Sequence, residues 1–205
     1  GVVRLCHSAE GLPLALELAA AWVKTLSCAA IADEIERNIA FLATDLRNVP
    51  ARHRSMRAAF DHSWALLADD ERHIFRRLAV FRGGFSRTAA ERVAGATLPL
   101  LSSLVDKSLL RYEADGRFHL HELLRQYADE RLNAVPDEAT RAHGAHRDYY
   151  LAYLAAQFGP ITGGGQREAV ATIAAELDNI RAAWRWAVAT GDGAAIDRVA
   201  HTLAV

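Results

Sequence analysis

The residues with the most chemical promise lie in one short run, His119-Leu120-His121-Glu122-Leu123-Leu124-Arg125. On a helix, His-Glu-x-x-His aims two imidazoles at one zinc ion, but the second ligand position here is Arg125, which cannot coordinate a metal. His119 and His121 share one strand face, a spacing that suits a solvated pair better than a metal site. Phosphate chemistry fails on a different ground. The sequence contains no Gly-x-x-x-x-Gly-Lys-Ser/Thr, the loop that cradles phosphates and holds Mg²⁺, and Gly163-Gly164-Gly165 lacks the lysine and hydroxyl. The glycine run is read as a flexible joint, and the chain alone is not expected to hydrolyse ATP. Cys6 and Cys28 have no ligand spacing and are expected to be buried, reduced thiols. A further candidate is electrostatic. From Arg52 to Arg92 nine arginines stand against five acids, a local excess that could meet DNA.

The elements that must position these residues follow from apolar spacing. Gly11-Leu12-Pro13 opens a helix, because proline suits a first turn in which its missing N–H has no partner. That helix is apolar nearly all round and is expected to be buried between other elements. A second helix is predicted over 31–41, with a linker at Asn48-Val49-Pro50. Met56, Ala59, Phe60, Trp64 and Leu67 form one helical stripe. Ile74, Phe75 and Leu78 form another, beginning at Asp69-Asp70 and closed by Gly83-Gly84. Ser86 opens a short helix that stops near Gly95, and Leu98, Leu101, Leu104 and Val105 define the next.

Residues 109–121 read as a hairpin. A three-residue loop Ala114-Asp115-Gly116 with Gly116 left-handed pairs Glu113 with Arg117, Tyr112 with Phe118, Arg111 with His119 and Leu110 with Leu120. Apolar residues then share a face, whereas a two-residue Asp-Gly turn pairs Tyr112 with His119 and mixes the faces. Leu124, Tyr127, Ala128, Leu132 and Val135 give a closing helix that Pro136 stops. Helices, a two-stranded wing and a closing helix make a winged-helix module. Beyond it, Tyr149, Tyr150, Tyr153 and Leu154 mark one helical stripe, and Ile173, Leu177, Ile180, Trp184 and Val188 another, as in the start of a helical repeat array.

With 51% hydrophobic and 24% charged residues the chain is that of an ordered protein. A net charge of −1 supplies no global field for nucleic acid or an anionic membrane. No apolar run spans a bilayer and no leader opens the chain, so it is read as cytoplasmic and without a membrane partner. It begins at Gly1 without Met and ends on Leu203-Ala204-Val205, and is expected to be a fragment.

Four ordered blocks resemble the STAND signal-transduction ATPases, in particular the bacterial LuxR-type and AfsR-type transcriptional regulators, relatives of the NB-ARC proteins. They are Glu10-Gly11-Leu12-Pro13-Leu14-Ala15-Leu16-Glu17-Leu18-Ala19-Ala20, Arg54-Ser55-Met56-Arg57-Ala58-Ala59-Phe60-Asp61-His62-Ser63-Trp64, Leu78-Ala79-Val80-Phe81-Arg82-Gly83-Gly84-Phe85 and His119-Leu120-His121-Glu122-Leu123-Leu124-Arg125-Gln126-Tyr127-Ala128. The resemblance implies a split nucleotide switch. A P-loop ATPase core precedes such a region, the Gly-Leu-Pro segment packs on adenine, and the His of a Met-His-Asp motif reaches the phosphates of ADP. Carried over, the nucleotide-binding residues are Pro13 and His121. The motif here reads Leu120-His121-Glu122, with a longer carboxylate. Proline offers a rigid apolar surface to a base, and an imidazole can donate to phosphate. The hairpin register also turns His121 from the apolar face to the point where strand becomes helix, where first-turn amides add to anion attraction. The plain alternative makes Pro13 a helix-start proline and His121 a cap or surface histidine.

The expected architecture is therefore mainly α: residues 1–48 the C-terminal part of a helical lid, 49–135 a winged-helix domain with a two-stranded wing, and 136–205 the start of TPR-like repeats. ADP or ATP with Mg²⁺ would belong to the longer protein, and tight nucleotide binding by the chain alone is not expected. Its partners would be its own upstream nucleotide-binding core and a protein or small-molecule signal on the repeats. Two rival readings are a winged-helix DNA-binding module and a helical-repeat scaffold using Tyr149, Tyr153, Trp184 and Trp186. Against the first, the short helix from Arg87 to Ala94 carries no Asn, Gln or Lys for base edges. Against the second, such rings also serve as core between antiparallel helices.

Overall fold

The computed structural model describes residues 1–43 and 55–203. The linker expected at Asn48-Val49-Pro50, with Arg52 and Arg54 of the basic stretch, lies outside the described residues. The chain is mainly α-helical, as its apolar spacing predicts, and the described residues contain one two-stranded antiparallel sheet.

Helix α1 (Val2–Ser8) packs on α3 (Cys28–Arg37), and Arg4 joins them through Asp33 at 2.7 Å and Glu36 at 2.6 Å. Between them α2 (Pro13–Ala20) starts on Pro13, as expected of a first-turn proline. It is not buried all round. Ala15, Leu18 and Ala19 are buried, while Pro13, Glu17 and the following turn with Trp22 and Val23 face solvent. An apolar composition does not fix how many neighbours a helix has, and the small alanines let one face alone seal against the core. Cys6 is exposed and Cys28 half-buried, so neither is the buried thiol expected, because α1 turns Leu5 inward and the next side chain points away. Helix α3 begins at Ser27, whose hydroxyl accepts from the Ala30 N–H at 3.2 Å, and stops at Asn38, where a 3₁₀ turn over Ile39–Phe41 takes over.

Four helices follow: α4 (Met56–Ala65), α5 (Asp69–Arg77), α6 (Arg87–Ala89) and α7 (Leu98–Asp106). A 3₁₀ turn over Leu78–Val80 extends α5, and a π turn over Ala90–Ala94 extends α6 to the left-handed Gly95. The buried Glu71 carboxylate accepts from Lys107 Nζ at 2.5 Å, Ser103 Oγ at 2.5 Å and the Ala68 N–H at 2.7 Å, which ties α5 to α7.

Strands β1 (Arg111–Tyr112) and β2 (Phe118–His119) pair in the predicted register, Arg111 with His119 and Tyr112 with Phe118. Gly116 is left-handed at φ 80°. The sequence pattern did not show that Phe85 lies along the far side of β2. Its N–H and C=O exchange 2.9 Å hydrogen bonds with Phe118. Gly84 beside it must be glycine twice over, since φ is +88° and a Cβ would stand 2.5 Å from the His119 ring.

Helix α8 (Glu122–Asn133) runs into α9 (Pro136–Ala155), with Pro136 ending one and opening the next. α10 (Phe158–Thr162), α11 (Gln166–Ala175), α12 (Leu177–Ala189) and α13 (Gly193–Leu203) complete the described chain, and α9 packs against α12 and α13. The single stripe expected from Ile173 to Val188 is broken at Glu176. Leu177 and Val188 are exposed, and α12 buries Asn179, Ile180, Ala183 and Ala187 instead. A buried polar cluster dictates that rotation. Asn179 Oδ1 accepts from the Arg82 N–H at 2.7 Å and lies 3.3 Å from His146 Nε2, while its Nδ2 donates to Gly84 O at 2.8 Å and Glu176 at 3.0 Å. Arg117 closes the cluster with a two-pronged ion pair to Glu176 and a bond to Gly84 O. One continuous set of buried side chains runs from Leu5 to Val199.

Candidate functional site

His121 is the N-cap of α8 and is only 8% exposed. Its Nδ1 accepts from the Leu123 N–H at 3.1 Å, which leaves the ring proton on Nε2, and Nε2–H donates to Ala9 O at 3.2 Å. Burial pushes its pKa below the ordinary histidine value, against the opposing pull of Glu10 and the Ala9 carbonyl, and the ring is held neutral. His121 is thus a cap, as one reading allowed, but it is no surface residue.

The residue beside it was not singled out from the sequence. Glu10 Oε1 accepts from the Glu122 N–H at 2.9 Å, and its Oε2 accepts from Arg111 Nη2 at 2.8 Å and stands 3.8 Å from His121 Nε2. A carboxylate therefore fills the anion position that the first turn of α8 and Arg111 of the hairpin create. Getting it there bends the backbone. Glu10 has φ 42° and Gly11 φ 74°, two successive left-handed residues just before Leu12 and Pro13. Glu10 belonged to one of the quoted blocks, but its charge carries no local signature of an interaction across 112 residues of chain.

Next to this junction lies an open pocket of about 550 Å³, lined among others by Glu10, Leu12, Ser108, Arg111, Tyr112 and His121. Glu10 and Ser108 are the only non-glycine residues with positive φ among the described residues, and both line it. Strained backbone concentrates at functional sites. Pro13 is exposed at the start of α2, one residue beyond Leu12 of the pocket wall. The structure thus brings the Gly-Leu-Pro segment and His121 to one junction. The Glu122 carboxylate is turned along its own helix, accepting from Arg125 through two 2.7 Å bonds. Burial raises its pKa, but the Arg125 guanidinium prevails and holds it below the usual value.

The rings of His119 and His121 part company, His119 packing on Gly84 and His121 on Ala9. His119 Nε2 lies 3.8 Å from both Glu113 and Asp115, a grouping at the hairpin tip that the sequence reading did not note. Of the basic stretch, Arg57 pairs with Glu130, Arg72 with Asp69 and Arg76 with Glu138, and Arg77 donates to Val93 O. Tyr149, Tyr153 and Trp184 pack against the core, and Trp186 stacks on His143 with centroids 4.2 Å apart. No described helix is long and apolar enough to cross a membrane.

No family model matches the chain, and no solved structure does. It is 38% identical over 200 residues to a protein of Mycobacterium tuberculosis described as "Putative HTH-type transcriptional regulator", an alignment covering 93% of this chain and 22% of that protein. The "Regulatory protein AfsR" of Streptomyces coelicolor is 33% identical over 162 residues, 70% of this chain and 16% of its own length. The chain thus spans about a fifth of the length of these two relatives, and over that span it is similar to bacterial transcriptional regulators.

Proposed function

We propose that this chain is a regulatory segment of a nucleotide-switched transcriptional regulator. In this reading residues 1–48 belong to a helical lid, 49–135 to a winged helix acting as sensor and spacer, and 136–205 to the start of a helical repeat array. The observation that carries it is the junction at His121, where Arg111 and the first turn of α8 converge on the Glu10 carboxylate beside a pocket whose wall includes Leu12 of the Gly-Leu-Pro segment.

The donors fit an anion of the phosphate class. Arg111 and the Glu122 amide meet at one point, where Glu10 supplies the negative charge, and His121 Nε2, whose proton goes to Ala9 O, stands 3.8 Å from it. Releasing Glu10 frees Arg111 and the Glu122 amide for the phosphates of ADP, and turning the His121 Nε2–H away from Ala9 O adds a third donor, with Pro13 presenting its ring to the base. A P-loop and Mg²⁺ would come from an upstream core in the longer protein, so the chain alone binds nucleotide weakly and hydrolyses none. Direct DNA contact is left to a separate domain, since most described arginines of the basic stretch are already engaged.

The test is ADP retention by the full-length protein. His121→Ala should release ADP about tenfold faster, the scale of one lost charge-assisted hydrogen bond, and raise basal transcriptional output. Unchanged retention sinks the assigned role. A companion titration of the chain alone with fluorescent ATP should show no saturation at low micromolar concentration.

A further inference from the structure

A second pocket, of about 280 Å³, opens where α9, α12 and the segment after α5 meet, and its wall holds Val80, Arg82, His143, His146, Arg185 and Trp186. No acidic residue lines it. Among the described residues neither the half-buried Arg82 nor the exposed Arg185 has an ion-pair partner, although almost every half-buried arginine other than Arg82 is matched to a carboxylate. Arg82 spends one guanidinium nitrogen on the carbonyls of Ala79 and Phe81, at 2.6 and 2.9 Å. Its pKa is pushed down to about 10, first by burial and next by the positive charges of Arg125 and Arg185, with only Asp129 and Glu122 pulling the other way. Of those, Arg125 is matched by Glu122, and Asp129 accepts from Asn133 at 3.3 Å. A buried cation without a counter-charge is expensive, and such groups gather at functional sites.

We propose that this pocket is a binding site for a small phosphomonoester, held by the guanidiniums of Arg82 and Arg185 with the His143–Trp186 stack as its flat wall. Two fork-shaped cations with no acid between them match a dianion better than a carboxylate, because phosphate accepts from several N–H groups at once. The volume exceeds that of bare phosphate and leaves room for a small organic body against Val80 and Trp186. Three separate elements close around the ligand. The 80–82 segment follows α5, His143 and His146 come from α9, and Arg185 and Trp186 from α12. Occupancy therefore fastens the repeat-like helices to the module that carries the hairpin, which makes the site an effector seat independent of the His121 junction and of the nucleotide reading.

The experiment titrates the 205-residue chain with inorganic phosphate and with phenyl phosphate, followed by NMR of the Trp186 indole and the α9 and α12 amides. Acetate and benzoate at matched ionic strength are run beside them. Saturable shifts at Trp186 and His143 with the phosphates, tighter for phenyl phosphate and absent with the carboxylates, are expected. Arg185 is exposed and makes no hydrogen bond or ion pair among the described residues, so Arg185→Glu should fold normally and bind at least about tenfold more weakly, the loss of one guanidinium–phosphate pair. Equal shifts with acetate, a response that never saturates, or an Arg185→Glu variant binding like the parent would each overturn the proposal.

Discussion

His146 illustrates what one buried residue implies for the behaviour of the chain in acid. Its ring lies against Phe81 and Tyr150 and its Nε2 lies 3.3 Å from Asn179 Oδ1. Burial is the main reason its pKa falls to about 3. The folded pKa lies below the unfolded one, near 6.5, so the unfolded chain binds the extra proton between these values. The stability contribution is complete above pH 6.5 and drains away as pH falls toward 3, by up to about 1.4 kcal/mol per unit. Glu71 acts in a lower window. Its hydrogen bonds from Lys107 and Ser103 hold the carboxyl near 2 against an ordinary 4.5, so its contribution is whole above 4.5 and is lost between 4.5 and 2. Denaturant melts at pH 7 and 5.5 should therefore show a clear loss of stability, and His146→Leu should reduce that loss by roughly 1 kcal/mol. An identical difference in parent and variant would mean that His146 is not the neutral buried base described.

At the scale of elements, the hairpin shows how close a glycine constraint can be. Gly84 has φ +88° and the His119 ring lies against its Cα hydrogens. Gly84→Ala should destabilise the chain by roughly 2–4 kcal/mol, combining a left-handed alanine with a clash. The double variant with His119→Ala should recover the clash and leave the backbone penalty, so the two effects should fall short of additivity in thermal melts. Strict additivity would separate the two residues. The hairpin register was legible because, of the two loops considered, only the three-residue Ala114-Asp115-Gly116 loop keeps the apolar residues of the period-two pattern together. The break at Glu176 was not legible. Helical periodicity through Ile173 and Val188 is nearly as good as through Ala183 and Ala187, and the choice is made by Asn179 and Glu176 meeting Gly84, Arg82 and Arg117 from far along the chain. The candidate junction divided in the same way. The family resemblance pointed to Pro13 and His121, whereas Glu10 and Arg111 depend on a long-range approach that no local pattern announces.

For the whole molecule, the same polar cluster should decide whether the hairpin and helices α9 to α13 open separately or together. Asn179 is 1% exposed and uses both ends of its amide, bonding the 82–84 segment on one side and Glu176 on the other, while Arg117 joins the hairpin to Glu176. Removing one member strands the others in a dry setting, which makes a buried network far costlier to damage than a surface ion pair. Asn179→Ala should therefore lower stability by roughly 2–4 kcal/mol. In the parent chain, amide exchange of β2, α9 and α12 should reach the same limiting protection, because the packed surface between α9 and α12 is continuous with that around Phe85 and Phe118. In the Asn179→Ala variant the limits should part, with α12 and α13 opening at lower free energy than α5 and α8. If protection in all of these elements falls by the same amount, the cluster adds stability without being the coupling between the two halves, and a ligand in the Arg82 pocket would have nothing to fasten.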